Sequence, residues 1–155
     1  MKPRLLTTCW SLPARIEDVS EVLADVTRFP QWWGDVYLDV RILDAGGEDG
    51  IGRRVAFHTR GRLPYTLRWT GEVTEANRPH GWKIRASGDL QGQGVWQLVQ
   101  DGDTANIRYD WRVAVGKPVL RVLAPLLWPA FAANHRWAME RGLEGLRREL
   151  ARRSG

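Results

Sequence analysis

Residues 126–150, LLWPAFAANHRWAMERGLEGLRREL, read as one long helix. From Phe131 onward, His135, Met139, Leu143, Leu146 and Leu150 recur at spacings of three and four, which places them on one stripe. Arg136, Glu140, Arg141, Glu144, Arg147 and Arg148 fall opposite. Pro125 and Pro129 stand before the stripe becomes regular, where a missing N–H costs least. Glu144 and Arg148 have the spacing of a helical ion pair. A helix of this kind does not hold its shape alone, so the rest of the chain has to supply an apolar partner.

The preceding sequence supplies one. Residues 5–12 read as a strand. Ile16, Val19, Val22 and Leu23 follow at helical spacing, with Glu17 and Asp18 in the first turn, where the helix dipole favours acids. Phe29-Pro30-Gln31-Trp32-Trp33 reads as a short second helix or turn that sets two large rings against something apolar. Strands are then expected at 36–43, 53–60, 63–76, 82–87 and 95–99, and through the alternation Ile107, Tyr109, Trp111, Val113, Val115. The turns between them fall at the glycine-rich 44–52, at Gly61-Arg62, at 77–80 and at 101–104, and Lys117-Pro118 ends the sheet. Three glycines in 88–94 suggest a bend or bulge. The expected order is one strand, two helices, six strands and one long helix. Hairpin-joined strands are antiparallel, and about seven twisted strands curl around the only cover large enough, the C-terminal helix. On that helix, Gly142 and Gly145 would allow a backbone or a bulky ring to approach closely.

Composition narrows the classes. With 155 residues and 43% hydrophobic content the chain is expected to form one domain, 1–155, rather than a disordered polymer. The single cysteine, Cys9, excludes an internal disulfide and reads as a structural thiol. No secretory leader is apparent, and the longest apolar run, 122–133, is interrupted by two prolines and is shorter than the ~20 residues a bilayer requires. The expectation is a cytoplasmic protein without an integral membrane segment. The net charge of +5 comes mainly from arginines scattered through every segment. Scattering argues against a nucleic-acid stripe, and no nucleic-acid partner is expected; a basic surface for nucleic acid or anionic membrane stays as an alternative. His58, His80 and His135 are far apart and no zinc spacing occurs, so no metal or other cofactor is expected. Asp39, Asp110 and Glu72 fall on polar strand faces, so a paired-carboxylate site is not supported, and no Ser/His/Asp order can be assigned.

The unusual number is nine tryptophans. Such a load suits the walls of an apolar pocket. By alternation Tyr65, Leu67 and Trp69 share the apolar face of one strand, Trp96 lies on a later strand, and Tyr109 and Trp111 share a face of the last one. With Trp33 before the sheet and Phe131, His135 and Met139 on the helix stripe, these ten residues are the candidate ligand-binding set. Tyr65, Tyr109 and His135 are also the candidates for moving a proton. Asn134, next to His135, either meets a ligand carbonyl or ties the helix to a strand.

Three groups of residues carry a family resemblance across essentially the whole chain: Phe29-Pro30-Gln31-Trp32-Trp33; Gly92-Gln93-Gly94-Val95-Trp96; and Asn134-His135 with Met139 and Gly142-Leu143. They resemble the START-related (SRPBCC) superfamily, in particular its polyketide cyclase/dehydrase and lipid-transport group. The resemblance implies an α+β helix-grip fold of the birch-pollen allergen type: a curved seven-stranded antiparallel sheet wrapped around a long C-terminal helix, with two short helices after the first strand. It also implies a cavity between sheet and helix that binds a hydrophobic small molecule, lipid or polyketide-like. The alternative is a cyclase, aromatase or dehydratase acting on such a ligand in the same cavity.

Overall fold

The computed structural model describes residues 3–154 except Lys117, so that part of the expected Lys117-Pro118 sheet end lies outside the described residues. The elements run β1 (Arg4–Pro13), α1 (Ile16–Ala24), a 3-10 turn (Val26–Arg28), α2 (Phe29–Trp32), β2 (Tyr37–Asp44), β3 (Arg54–Arg60), β4 (Thr66–Asn77), β5 (Gly81–Gly88), β6 (Leu90–Asp101), β7 (Thr104–Val115) and α3 (Pro118–Ser154). The strands form one antiparallel sheet in the order β1-β7-β6-β5-β4-β3-β2. The sheet curves around α3, as the pattern of hairpins and one long helix predicts.

Register decides what the inner face carries. One row across the sheet is Thr8, Tyr109, Trp96, Trp82. The next is Leu6, Trp111, Gly94, Ile84, and the third is Val113, Gly92, Ala86, Gly71, Val55. Large rings thus stand beside positions with no side chain or only a methyl. A Cβ on Gly94 would lie 2.7 Å from the Tyr109 hydroxyl, and one on Gly71 would lie 3.1 Å from the Phe57 ring. The missing side chains leave the space into which neighbouring rings lean.

The α3 helix is seated by its C-terminal half. Leu146 is completely buried and Met139 nearly so. Gly142 receives the Trp33 ring and Gly145 receives the Trp32 carbonyl. Trp33 Nε1 donates to the Ala138 carbonyl at 2.9 Å. Glu149, one residue off the expected stripe, is buried and accepts hydrogen bonds from Arg28 Nε and Arg152 Nε, each at 2.7 Å. Those guanidinium groups hold its carboxyl down at about 2. At the N-terminal end of the chain's core, Gln100 Oε1 accepts from the Ile16 N–H at 2.8 Å, which fixes the start of α1.

Several expectations need correction. The last helix does not begin near residue 126; it starts at Pro118 and runs through Pro125 and Pro129. Pro118 suits a first helical position. The carbonyls that lose amide partners to the two internal prolines belong to Arg121 and Pro125, both exposed, so water can serve them. The strand expected at 63–76 starts at Thr66, because Pro64 has no N–H to give the ladder, and residues 61–65 form a connection longer than a tight turn. Of the bend or bulge expected in 88–94, the bend is present at Gly88-Asp89, where the φ of Gly88 is +105°, while residues 90–94 pair with β7 in unbroken register without a bulge. Glu144 pairs with Arg141, one turn back, and not with Arg148; Arg141 also reaches Asp35. The Cys9 thiol is exposed, since position 9 falls on the outer face of β1.

Candidate functional site

Between the inner face of the sheet and α3 lies a cavity of about 230 Å³. All ten candidate ligand-binding residues line it. The strands place Leu67, Trp69, Trp96, Tyr109 and Trp111 there, and Trp33 enters from the end of α2. Phe131, His135 and Met139 descend from α3. Tyr65 also reaches the cavity, but from the 61–65 connection rather than from a strand, with its ring 6.3 Å from that of Phe131. Sequence reading missed Tyr37, Phe57, Trp82 and Trp128, which line the same space. Alternation of Val55, Phe57 and Thr59 carried a usable signal for Phe57. Tyr37 carried none, because it is the first residue of β2 and a register shift follows it.

The polar groups inside are few, and burial keeps them uncharged. Loss of water, aided by the nearby Arg136, pulls His135 down to about 4, so its imidazole is neutral at pH 7. The Thr8 hydroxyl lies 3.5 Å from His135 Nε2, the outer limit of a hydrogen bond. Burial raises Tyr37 and lifts Tyr65 to about 12. Tyr109 is raised well above its ordinary value, first by burial and then by its proximity to Tyr37. Charged lining residues such as Asp49, Arg53, Arg60 and Arg78 belong to loops and strand ends.

Asn134 lines the cavity and ties the helix to a connection rather than to the expected strand. Its Oδ1 accepts the Arg62 N–H at 2.7 Å and pins the 61–65 connection to α3. Some of the arginines elsewhere are paired with acids: Arg85 with Glu72 at 2.7 Å, Arg108 with Asp110 at 3.1 Å and Arg153 with Glu21 at 3.0 Å. These exposed pairs add little stability, but they blunt the basic surface. No helix among the described residues is long and apolar enough to cross a membrane.

The comparisons with known proteins agree with this geometry. The family model for polyketide cyclase / dehydrase and lipid transport matches residues 7–151. No curated protein sequence matches. Among solved structures, TTHA0849 from Thermus thermophilus superposes with a TM-score of 0.81 at 15% identity, covering 98% of this chain and 100% of that one. The Zhui aromatase/cyclase from Streptomyces sp. R1128 gives 0.73 at 18% identity, covering 99% and 96%. Norcoclaurine synthase from Thalictrum flavum gives 0.63 at 13% identity, covering 99% and 97%. At these identities the structures share the fold alone. A helix-grip fold, with its cavity in the expected place and a family model spanning nearly the whole chain, establishes that the chain belongs to the polyketide cyclase/dehydrase and lipid-transport family of the START-related superfamily.

Proposed function

We propose that this protein binds a hydrophobic small molecule, lipid or polyketide-like, between the sheet and α3. The observation that carries the reading is the 230 Å³ space itself, walled by apolar side chains. Well-packed interiors leave few voids larger than a water molecule, so a space of this size is a departure that a bound ligand explains. Native mass spectrometry of the freshly purified chain tests it. A bound small molecule, or saturable displacement of an apolar fluorescent probe, is the expected result. A bare mass together with no saturable probe binding overturns it.

A second reading, catalysis of a cyclase or dehydratase kind in the same cavity, draws support from Tyr109 and His135, whose ring centroids lie 6.4 Å apart. It ranks behind binding. Proton transfer works best with groups that titrate near the working pH, whereas burial takes His135 down to about 4 and Tyr109 well above its ordinary range. Turnover of a poly-β-ketone mimic that disappears in a folded His135→Ala variant would promote this reading over the first.

A further inference from the structure

Eight rings close on themselves around the cavity. Trp96 meets Tyr109 at 4.2 Å between centroids, Tyr109 meets Trp111 at 5.8 Å, Trp111 meets Trp69 at 5.7 Å and Trp69 meets Phe57 at 4.6 Å. Phe57 then meets Tyr37 at 5.5 Å, Tyr37 meets Trp33 at 4.9 Å, Trp33 meets Trp10 at 6.1 Å and Trp10 returns to Trp96 at 5.8 Å. All but Trp10 line the space. The circuit joins β6, β7, β4, β3, β2, the residue after α2, and β1, so it draws on six of the seven strands.

Two further features bear on the occupant. The Tyr37 and Tyr109 hydroxyls have no hydrogen-bond partner among the described residues, yet neither ranks with the sealed, unsatisfied polar atoms, which are Trp32 Nε1 and His58 Nε2. Both phenols therefore face open cavity, with Tyr109 leaning over the bare Cα of Gly94. The size is also limiting. A cavity of ~150 Å³ accepts benzene, so one of about 230 Å³ accommodates one or two fused rings more readily than an extended long acyl chain.

We infer that the occupant is an uncharged, planar molecule of one or two rings bearing a hydroxyl or carbonyl oxygen, which accepts or shares a hydrogen bond with Tyr109 or Tyr37. The inference rests on the cavity being a binding site and narrows what it takes. Ring faces and edges attract other rings beyond simple area burial, whereas a flexible chain gains only the area and loses rotamer freedom on binding. A charged ligand seated among the rings would lose its hydration there, because the charged lining residues, Asp49, Arg53, Arg60 and Arg78, stand on loops and strand ends. The oxygen gives these phenols a hydrogen-bond partner inside the cavity.

Isothermal titration calorimetry of the full chain with four probes tests this: 2-naphthol, naphthalene, 2-naphthoate and dodecan-1-ol. The expected order has 2-naphthol tightest, with 2-naphthoate and dodecan-1-ol each at least tenfold weaker. Tyr109→Phe should weaken 2-naphthol about fivefold to tenfold, the worth of one hydrogen bond, and leave naphthalene within twofold. A Tyr37→Phe variant repeats the measurement where the first substitution disturbs folding. Dodecan-1-ol or 2-naphthoate binding as tightly as 2-naphthol overturns the ligand class and leaves the binding site standing. Failure of all four probes to bind overturns the ligand class, and together with a bare mass in native mass spectrometry it overturns the binding site too.

Discussion

The Trp33 indole lies against Gly142 so closely that a Cβ there would sit 2.6 Å from ring atoms Cε2 and Cζ2. One turn earlier on the same helix, the Ala138 carbonyl accepts the Trp33 N–H. Ring and helix therefore fix each other by shape and by a hydrogen bond. Trp33 in turn faces the cavity, so the seating of α3 and the shape of the site depend on one side chain.

In an open helix, replacing glycine by alanine stabilises by about 1 kcal/mol. Here the sign reverses. Gly142→Ala drives a methyl into the Trp33 ring, and Gly145→Ala drives one into the Trp32 carbonyl. Overpacking of this kind costs about 1–3 kcal/mol, which exceeds the propensity gain. Urea unfolding should show lower midpoints for both variants, with Gly145→Ala the more damaging because backbone cannot swing aside as a side chain can.

Acid stability should fall in two separate windows. His135 titrates near 4 in the folded chain and near 6.5 unfolded, so between those values the unfolded chain holds more protons. Stability is therefore full above pH 6.5 and declines as pH falls toward 4, by at most about 1.4 kcal/mol per pH unit. His135→Gln should flatten that part of the curve of unfolding free energy against pH.

Glu149 occupies the lower window. Its carboxyl titrates at about 2 when folded, below its ordinary value of 4.5, so its contribution is intact above 4.5 and is lost as pH falls through 2. Glu149→Gln should remove the slope below pH 4.5, leave the His135 slope in place and lower stability at neutral pH. It should do so because the Arg28 and Arg152 guanidinium groups lose the negative charge between them and one of its two acceptor oxygens.

Gly94 offers a test of the space itself. A methyl there meets the Tyr109 hydroxyl at 2.7 Å and Ile84 Cγ1 at 3.0 Å. Gly94→Leu should push the phenol out of the place it now occupies and into the cavity, weakening probe binding at least tenfold. Gly94→Ala should have a smaller effect, with Tyr109 displaced; a crystal structure of either variant checks the position of the ring.

Much of this architecture was legible because it depends on local pattern. Alternation through Ile107, Tyr109, Trp111 and Val113 named an inner face, and the spacing from Phe131 to Leu150 named the stripe that meets it. The near neighbours of those residues were less accessible. Trp82 faces Trp96 only because the β5–β6 register pairs them, and no local pattern states a register. Tyr65 reaches the expected cavity by a different route, since Pro64 delays the strand. Glu149 looks like a solvated residue in a basic run; the partner that buries it, Arg28, stands 121 positions earlier. The ring circuit has the same origin, as every link but the one between Tyr109 and Trp111 joins different elements.

The fixings of α3 are unevenly distributed. Gly142, Gly145 and Glu149 all lie in its C-terminal half, whereas Val122 and Leu126 near its start are 80% and 82% exposed. Trp128 and Phe131, which close the space at that end, stand on the loosely held half, and Arg4 sits 5.0 Å above the Trp128 ring. Among the described residues the first half of α3 is held by Arg4 against Trp128, by Tyr65 against Phe131 and by the Asn134–Arg62 hydrogen bond, so on the proposed binding function these are the contacts a guest would have to part, while the far end stays bolted.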